Sequence, residues 1–319
     1  MRRAAAIGWV LLAACSGDVD DPAARDAATD DSVSAVDAAP VDSAGPDAPL
    51  IECASPDDCA WIDAELHTIV AVLSGAQEAS PGVTFTQRST AAQRQAVRDY
   101  LVAELARNGV TAVPTSYGTG LNLVVHLAPT TGPDQGPPMI VGGHFDGVAN
   151  SPAAADNATG AAVVVVAARY LSHRPRNRPI DLVLFDQEEA GLIGSGAYVA
   201  AMGPGAVIHS MHNFDMISFD GDGDRVVELW SPAPRLEAMY RAEAGRRGLG
   251  IVAVRFGSSD HQSFVERGLP AVGVCEEFVS GDHTPHYHQV TDTLDKVDFA
   301  YLGAVARMGL AVLEDDATN

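Results

Sequence analysis

The sequence is poor in basic residues and in aromatic residues. It has 20 lysines and arginines against 42 aspartates and glutamates, which gives a formal net charge of −22. No basic stripe is present that could follow a phosphate backbone, so the composition argues against nucleic-acid binding. Aromatic residues make up 6% and hydrophobic residues 47% of the 319 positions. This is an ordinary globular balance, and the length suits one large α/β domain or two small ones.

Long hydrophobic runs are also lacking. The apolar stretch at residues 4–14 is shorter than the about 20 residues that a membrane-spanning helix needs, and two arginines precede it. It ends in Leu12-Ala13-Ala14-Cys15, which resembles a bacterial lipobox. We therefore predict a lipoprotein signal peptide at residues 1–15, with Cys15 lipidated and the protein exported and anchored to the cell envelope. Ser16 favours the outer membrane. The alternative is an ordinary cleavable signal peptide with a coincidental cysteine.

Residues 16–58 have a different composition from the rest of the chain. They hold twelve acidic residues and one arginine, so half of the net charge lies here. Such a segment cannot bury enough apolar surface to offset its ordering entropy, so we predict a disordered acidic linker followed by a folded domain at residues 59–319.

Only four cysteines are present. Apart from Cys15, Cys53 and Cys59 are separated by five residues. In an exported protein this spacing predicts a small disulfide loop. Cys275 lies in an apolar run and is predicted to be a buried thiol.

From residue 59 onward, predicted helices and strands alternate. Apolar spacing predicts helices at residues 61–73, 90–108, 160–171, 191–202, 233–247, 260–267 and 299–313. Apolar runs predict strands at residues 121–127, 139–142, 180–185, 207–217, 226–230, 251–254 and 271–274. The alternation predicts an α/β sandwich with a mostly parallel sheet. Sheets of this kind bind ligands beyond the carboxyl ends of their strands.

Five potential metal ligands follow predicted strands or lie in connecting loops. They are His144, Asp156, Glu189, Asp215 and His288. Five such groups at one rim would be costly without a cation. Two imidazoles and three carboxylates, with no thiolate, suit zinc. By spacing alone, His286 competes with His288 for the last position.

Two zinc ions supply a charge of +4, which three carboxylates and one bridging hydroxide neutralise. The charges therefore favour two ions. Two metals about 3.5–4 Å apart can hold both the attacking oxygen and the scissile carbonyl. Asp146 could bind the other ring nitrogen of His144. Of the pair Glu188 and Glu189, one can ligate while the other takes a proton from the attacking water and passes it to the leaving amine.

Each residue also has a simpler interpretation. Asp156 before a helix is typical of an N-cap. A Glu-Glu pair is usually solvated surface, and His144 alone could be an ordinary loop histidine.

The order of the motifs resembles one known group of enzymes. The motifs are Gly-Gly-His-Phe-Asp at 142–146, Asp-Asn-Ala-Thr-Gly at 156–160, Phe-Asp-Gln-Glu-Glu-Ala-Gly-Leu-Ile-Gly-Ser at 185–195, Asn-Phe-Asp-Met at 213–216, Ser-Ser-Asp-His at 258–261 and His-Gln-Val-Thr-Asp-Thr-Leu at 288–294. Over roughly residues 60–313 the chain resembles clan MH zinc peptidases of the bacterial leucyl aminopeptidase type. The resemblance implies a three-layer α/β/α sandwich around a mixed, mostly parallel sheet. It also implies a two-zinc aminopeptidase that acts on peptides with a free N-terminus.

The resemblance assigns a role to each candidate residue. It implies that His144, Asp156 and Glu189 serve one zinc, and that Asp156, Asp215 and His288 serve the other. Asp156 would bridge the ions. Glu188 would be the general base and Asp146 would orient His144. The His-x-x-x-Asp-Thr spacing favours His288 over His286.

Two positions depart from the family pattern. Where the best-known members have a tyrosine that helps to stabilise the oxyanion, this chain has Phe256, and Ser258 stands in place of a cysteine. Phenylalanine cannot donate a hydrogen bond, so zinc or another donor must stabilise the oxyanion.

Several other functions remain open on the same fold. A carboxypeptidase or dipeptidase would need a cation for the substrate carboxylate, and Arg255 is available. A single-zinc glutaminyl cyclase or a non-catalytic binding protein would not need the full ligand set. An aminopeptidase needs an acid for the free amine, for which Glu276 is a candidate. No inserted dimerisation domain is evident, so a monomer is expected.

Overall fold

A computed structural model describes residues 53–132 and 136–319. The predicted signal peptide, its lipidation site Cys15 and the linker up to residue 52 lie outside the described residues. Within the described ranges, none of the helices has the length and hydropathy needed to cross a bilayer.

The described residues form seven α-helices and eight strands. The helices are α1 (Trp61–Leu73), α2 (Ala91–Arg107), α3 (Thr159–Ser172), α4 (Ile193–Ala201), α5 (Pro234–Arg247), α6 (His261–Val265) and α7 (Phe299–Thr318). The strands are β1 (Ala112–Ser116), β2 (Leu121–Leu127), β3 (Met139–His144), β4 (Ile180–Phe185), β5 (Ser210–Phe214), β6 (Val226–Trp230), β7 (Gly250–Val254) and β8 (Ala271–Cys275). Every helix and strand predicted from the sequence occurs, with ends shifted by a few residues.

Strand β1 was not predicted. It lies at the edge of the sheet and buries only its first residue, and it contains Pro114. Edge strands tolerate proline because one side of the backbone has no strand partner. With one buried side chain, β1 has no apolar pattern that sequence reasoning could detect.

All eight strands belong to one mixed sheet in the order β1-β2-β4-β3-β5-β8-β6-β7. Its centre, β4-β3-β5-β8, is parallel. Strands β1 and β2 pair antiparallel on one side. On the other side β6 runs antiparallel to β8 and parallel to β7. The predicted mixed, mostly parallel sheet is confirmed.

Helices cover both faces of the sheet, which gives three layers. Alternation along the strands separates two sets of apolar side chains, since successive residues point to opposite faces. In β2, Leu123 and Val125 belong to the larger core, which contains α1, α2, α3, α5 and α7. Val124 faces the smaller core, where it meets Val199 of α4 and Phe264 of α6. The predicted α/β/α sandwich is confirmed.

The folded part begins earlier than the sequence suggested. Cys53 and Cys59 form a disulfide with their Cα atoms 5.1 Å apart. Between them lies a short 3-10 helix, Pro56–Asp58, whose Pro56 is buried. Residues 53–58 therefore belong to the folded part and not to the linker, because the disulfide and this buried proline attach them to it. Cys275 is a buried free thiol.

Candidate metal centre

The candidate ligands meet at the carboxyl edge of the parallel strands. His144 is the last residue of β3, and Asp215 directly follows β5. Glu188 and Glu189 lie in a turn after β4, Asp156 lies just before α3, and His288 lies in the loop before α7. All six side chains line one pocket. The convergence expected from the strand-end rule is therefore present.

Asp156 lies between the two histidines. His144 Nε2 is 3.4 Å from Asp156 Oδ1 and 3.5 Å from Asp215 Oδ1. His288 Nε2 is 3.1 Å from Asp156 Oδ2 and 3.0 Å from Glu189 Oε2. The shortest contacts thus define two groups that share Asp156: His144 with Asp215, and His288 with Glu189.

This grouping differs from the one that the resemblance implied, in which Glu189 accompanied His144 and Asp215 accompanied His288. Strand order alone does not decide between the two groupings, because β4 and β5 are both direct neighbours of β3. A ligand atom of Glu189 also lies within 4.8 Å of ligand atoms of His144 and Asp156. The two ligand groups therefore overlap in space, and the shortest distances between side chains determine which ligands belong together.

The site contains buried polar atoms without hydrogen-bond partners. Glu189 Oε1 and Asp215 Oδ1 have none within the described part of the chain, and Asp156 Oδ2 has only the 3.1 Å contact with His288. A buried carboxylate oxygen without a partner is costly, and coordination to a divalent cation removes that cost. Two imidazoles and three carboxylates are ligands that zinc accepts. The residues therefore fit a zinc centre.

The electrostatics of the pocket also favour bound positive charge. Hydrogen bonds to Asp156 and Glu189 raise the pKa of His288 to about 10. Burial alone would lower the pKa of His144, but the carboxylates of Glu188 and Asp215 raise it well above its ordinary value. Both histidines would thus stay protonated at neutral pH, which indicates that the surrounding carboxylates attract positive charge.

Asp146 connects the first histidine to the glutamate pair. Its Oδ1 lies 3.4 Å from His144 Nδ1. The same oxygen accepts a 3.0 Å hydrogen bond from the Glu188 amide, and Oδ2 accepts one of 3.3 Å from the Glu189 amide. Sequence reasoning placed Asp146 beside His144 but did not foresee that it also holds the turn carrying Glu188 and Glu189.

Glu188 lies in the pocket on this turn. Both glutamates reach the site because residues 187–191 are not in a strand, and Gln187 has a left-handed backbone with a φ of 61°. Glu188 Oε2 is 4.0 Å from His144 Nε2, farther than the nearest oxygens of Asp156 and Asp215. Burial raises the pKa of Glu188 well above its ordinary value. Its carboxylate is thus placed to exchange a proton at the site.

Asp156 is not the N-cap of α3. That position belongs to Ala158, and the Asn157 side chain accepts the hydrogen bond from the Gly160 amide. The simpler interpretation of Asp156 is therefore wrong. Its backbone is held by Asp292, whose two carboxylate oxygens accept hydrogen bonds from the amides of Ala155 and Asp156 at 2.8 and 3.1 Å.

An aromatic wall forms the other side of the pocket; we use this name for Trp230, Phe256, Phe278 and Tyr287. The rings of Trp230 and Phe256 lie 4.7 Å apart, and those of Phe278 and Tyr287 lie 5.2 Å apart. Tyr287 also stacks on the His288 ring at 3.8 Å. Sequence reasoning missed Trp230, Phe278 and Tyr287, and only the position of Tyr287 beside His288 could have indicated a role.

Three residues considered from the sequence lie outside the pocket. Glu276 is buried, with its oxygens accepting hydrogen bonds from the amides of Ser218, Phe219 and Thr284, and burial raises its pKa to about 8. Glu276 does not line the pocket and its oxygens are used by these amides, so the structure gives no support to a role in binding a substrate amine. Arg255 is exposed and does not line the pocket. His286 contacts Thr291 on the surface.

Comparisons with known proteins identify relatives of this chain. The model of a family described as peptidase family M28 matches residues 122–313, more than half of the chain. Aminopeptidase YwaD of Bacillus subtilis is 29% identical over 170 residues, covering 50% of this chain and 36% of that protein. The probable lipoprotein aminopeptidase LpqL of Mycobacterium tuberculosis is 29% identical over 198 residues, covering 52% and 40%. The chain spans about two fifths or less of the length of these relatives.

Solved structures show the same fold. LapB of Legionella pneumophila matches with a TM-score of 0.70 at 19% identity, covering 81% of this chain and 72% of that one. A glutaminyl cyclase of Bacteroides thetaiotaomicron matches with a TM-score of 0.63 at 16% identity, covering 79% and 97%. At these identities the likeness concerns the fold alone.

Proposed function

The chain belongs to peptidase family M28, and from this membership and the geometry of the pocket we propose that it is a two-zinc aminopeptidase. It would remove the N-terminal residue from peptides that have a free amine. The observation that carries the proposal is the position of Asp156, 3.4 Å from one histidine and 3.1 Å from the other. A carboxylate shared in this way is the arrangement expected of a bridging ligand.

In the proposed site, His144, Asp156 and Asp215 hold one zinc ion, and Asp156, Glu189 and His288 hold the other. Bound zinc would supply polarisation of the scissile carbonyl and would lower the pKa of the attacking water towards neutral pH. Ser259 Oγ donates to Asp215 Oδ2 at 2.6 Å, so that Oδ1 remains directed at the pocket. Asp146 orients His144 through its second ring nitrogen.

Glu188 is the proposed general base. Its carboxylate faces the pocket without being among the shortest ligand contacts, and its raised pKa suits a group that takes a proton from water and passes it to the leaving amine. The alternative, with Glu189 as the base and Glu188 as the ligand, is disfavoured because Glu189, and not Glu188, contacts His288.

Tyr287 is the proposed hydrogen-bond donor that Phe256 cannot be. Its side chain lines the pocket, and its hydroxyl makes no hydrogen bond to any residue that the structure describes. Burial raises the pKa of Tyr287, so the phenol keeps its proton at neutral pH. A neutral phenol next to the ligand His288 can donate to a developing oxyanion.

The lining of the pocket bears on the alternatives. Of the residues described, no lysine or arginine lines it, so no cation is present to bind the C-terminal carboxylate that a carboxypeptidase recognises. A glutaminyl cyclase with a single zinc would use three of the five proposed ligands and leave two unused. Anchoring through Cys15, export to the cell envelope and a monomeric state remain part of the proposal. The description of LpqL as a lipoprotein supports the anchor.

The test uses the full chain and two substrates, Leu-p-nitroanilide and the same compound with a blocked amine. Zinc content is measured by mass spectrometry before and after chelation. We expect two zinc ions per chain and zinc-dependent cleavage of the free-amine substrate alone. Glu188→Gln should keep the zinc and lose about 10²- to 10⁴-fold in kcat, whereas Glu266→Gln, at an exposed position directly after α6, serves as the matched control. Cleavage of neither substrate by a chain that binds two zincs would refute the aminopeptidase.

A further inference from the structure

Arg88 is a fully buried arginine close to the proposed zinc site. It has no solvent exposure and heads the largest fully buried side chains of the described residues. It precedes α2 and lies outside residues 122–313, to which the family model applies. Burying a guanidinium is costly unless its donors are satisfied, so its contacts require a structural reason.

Among the described residues, the side chain of Arg88 donates its hydrogen bonds to backbone carbonyls. Nε donates to Phe145 O at 2.7 Å, Nη1 donates to Leu73 O at 2.7 Å and to Pro152 O at 2.8 Å, and Nη2 donates to Ala153 O at 2.8 Å. The planar fork of an arginine can hold several carbonyls in fixed directions at once. One side chain thus ties together three separate segments of the chain.

Two of these segments carry proposed metal ligands. Phe145 lies between His144 and Asp146, and the pair Pro152–Ala153 begins the loop that leads to Asp156. The loop also contains Ala153 in a left-handed conformation, with a φ of 58°, which a residue other than glycine rarely adopts without support. Arg88 contacts the carbonyl of this residue.

The same loop is also held by Asp292. Its carboxylate accepts from the amides of Ala155 and Asp156, while Arg88 donates to the carbonyls of residues 152 and 153. Arg88 and Asp292 therefore bind consecutive peptide units of one loop, Arg88 through the carbonyls and Asp292 through the amides. Removal of either one frees the segment that sets the position of Asp156.

We propose that Arg88 is a positioning residue that fixes the spacing between His144 and the bridging Asp156 and thereby sets the affinity for zinc. This inference rests on the proposed zinc site. It assigns no contact with the substrate to Arg88, which acts through the backbone alone.

The sign of the effect separates positioning from simple electrostatics. A buried positive charge repels a metal cation, so the loss of that charge alone would strengthen zinc binding. The loss of the positioning contacts would weaken it, since residues that orient metal ligands typically contribute about 10- to 100-fold in affinity. A role in folding stability alone would leave the affinity unchanged.

The experiment compares the full-length wild type with Arg88→Met and Arg88→Lys, and a matched control is Arg176→Met. Arg176 is also buried and also donates to backbone carbonyls, those of Ala128, Leu171, Ser172 and Arg174, but at the opposite edge of the sheet. Zinc affinity is measured by competition with a chromophoric chelator, and circular dichroism checks the fold. If Arg88→Met fails to fold, Arg88→Lys carries the test, because it keeps the charge and loses only the fork.

We expect both Arg88 variants to bind zinc about 10- to 100-fold more weakly than the wild type, and Arg176→Met to stay within about twofold. Unchanged or tighter zinc binding by the folded Arg88 variants would overturn the inference and leave the proposed zinc site intact. A wild-type chain that binds no zinc would instead overturn the proposed function together with this inference.

Discussion

Substitution of Asp146 by asparagine should reduce both zinc content and turnover. The carboxylate lies 3.4 Å from His144 Nδ1 and accepts hydrogen bonds from the amides of Glu188 and Glu189. Asparagine has the same shape, but one of its two terminal atoms is a donor. Either the Glu188 amide or the Glu189 amide would then face another N–H group.

The size of the effect follows from these contacts. A hydrogen bond to a charged group contributes about 1.5–3 kcal/mol, and a buried donor without a partner costs a similar amount. At about 1.4 kcal/mol for each factor of ten, one such loss in the turn that carries the general base corresponds to roughly 10- to 100-fold. The neutral side chain would also no longer fix the ring orientation of His144.

The assay measures kcat and KM with Leu-p-nitroanilide at saturating zinc, and zinc content after gel filtration. Asp181→Asn is the control, because Asp181 also pairs with a histidine, His126, at 2.6 Å, but at the opposite end of β4. We expect Asp146→Asn to lose about 10- to 100-fold in kcat/KM and Asp181→Asn to keep wild-type values. An Asp146→Asn chain with wild-type zinc content and turnover would refute the assigned role.

Three further outcomes can be measured on the same chain. Tyr287→Phe should lower kcat by about 10²- to 10³-fold with little change in KM or zinc content, and an unchanged kcat would mean that another group stabilises the oxyanion. Chelation should lower the melting temperature reversibly, because a ligand at 1,000 times its Kd stabilises the folded state by about 4 kcal/mol. Asp316→Asn should lower the free energy of unfolding by about 3–5 kcal/mol, since the buried Asp316 carboxylate accepts from His212 and Arg235, whereas the exposed neighbour variant Asp315→Asn should change little. Burial alone would raise the pKa of Asp316, but these partners lower it. The stabilisation that the ionised Asp316 provides therefore exists above pH ~4 and is lost as the pH falls further. An equal destabilisation by Asp316→Asn at all pH values would contradict this pH dependence.

The sequence predicted most of the fold because burial leaves a clear pattern. The run of β4, apolar except for Asp181, and the apolar face of α3 are both wholly or almost wholly buried. The prediction was least accurate where polar residues are buried. Helix α7 continues to Thr318, five residues beyond its predicted end, and Asp316 in that last turn is buried because it meets His212 and Arg235. A polar helix end resembles solvent-exposed chain until its partners are known.

The sequence also predicted which residues meet, but not how they pair. The rule that ligands gather at the carboxyl ends of parallel strands placed all five candidates in one pocket. Their grouping rests on the shortest distances between the side chains, which the order of the residues in the chain does not reveal. Arg88 could not be predicted as part of the site, because a buried arginine that binds carbonyls produces no recurring pattern, and for Tyr287 the only signal was its position beside His288.

The contacts that hold the ligands leave the pocket-facing atoms free, and this explains how the proposed site can be formed before metal binds. Ser259 donates a hydrogen bond to Oδ2 of Asp215, so that Oδ1 still faces His144. Asp292 binds the backbone amides of Ala155 and Asp156 and leaves the Asp156 carboxylate uninvolved. Asp146 holds Glu189 in the same way, through the backbone. Since none of these supports competes with a cation for a ligand atom, binding of zinc need not break them, and the cost of ordering the ligands is met by folding.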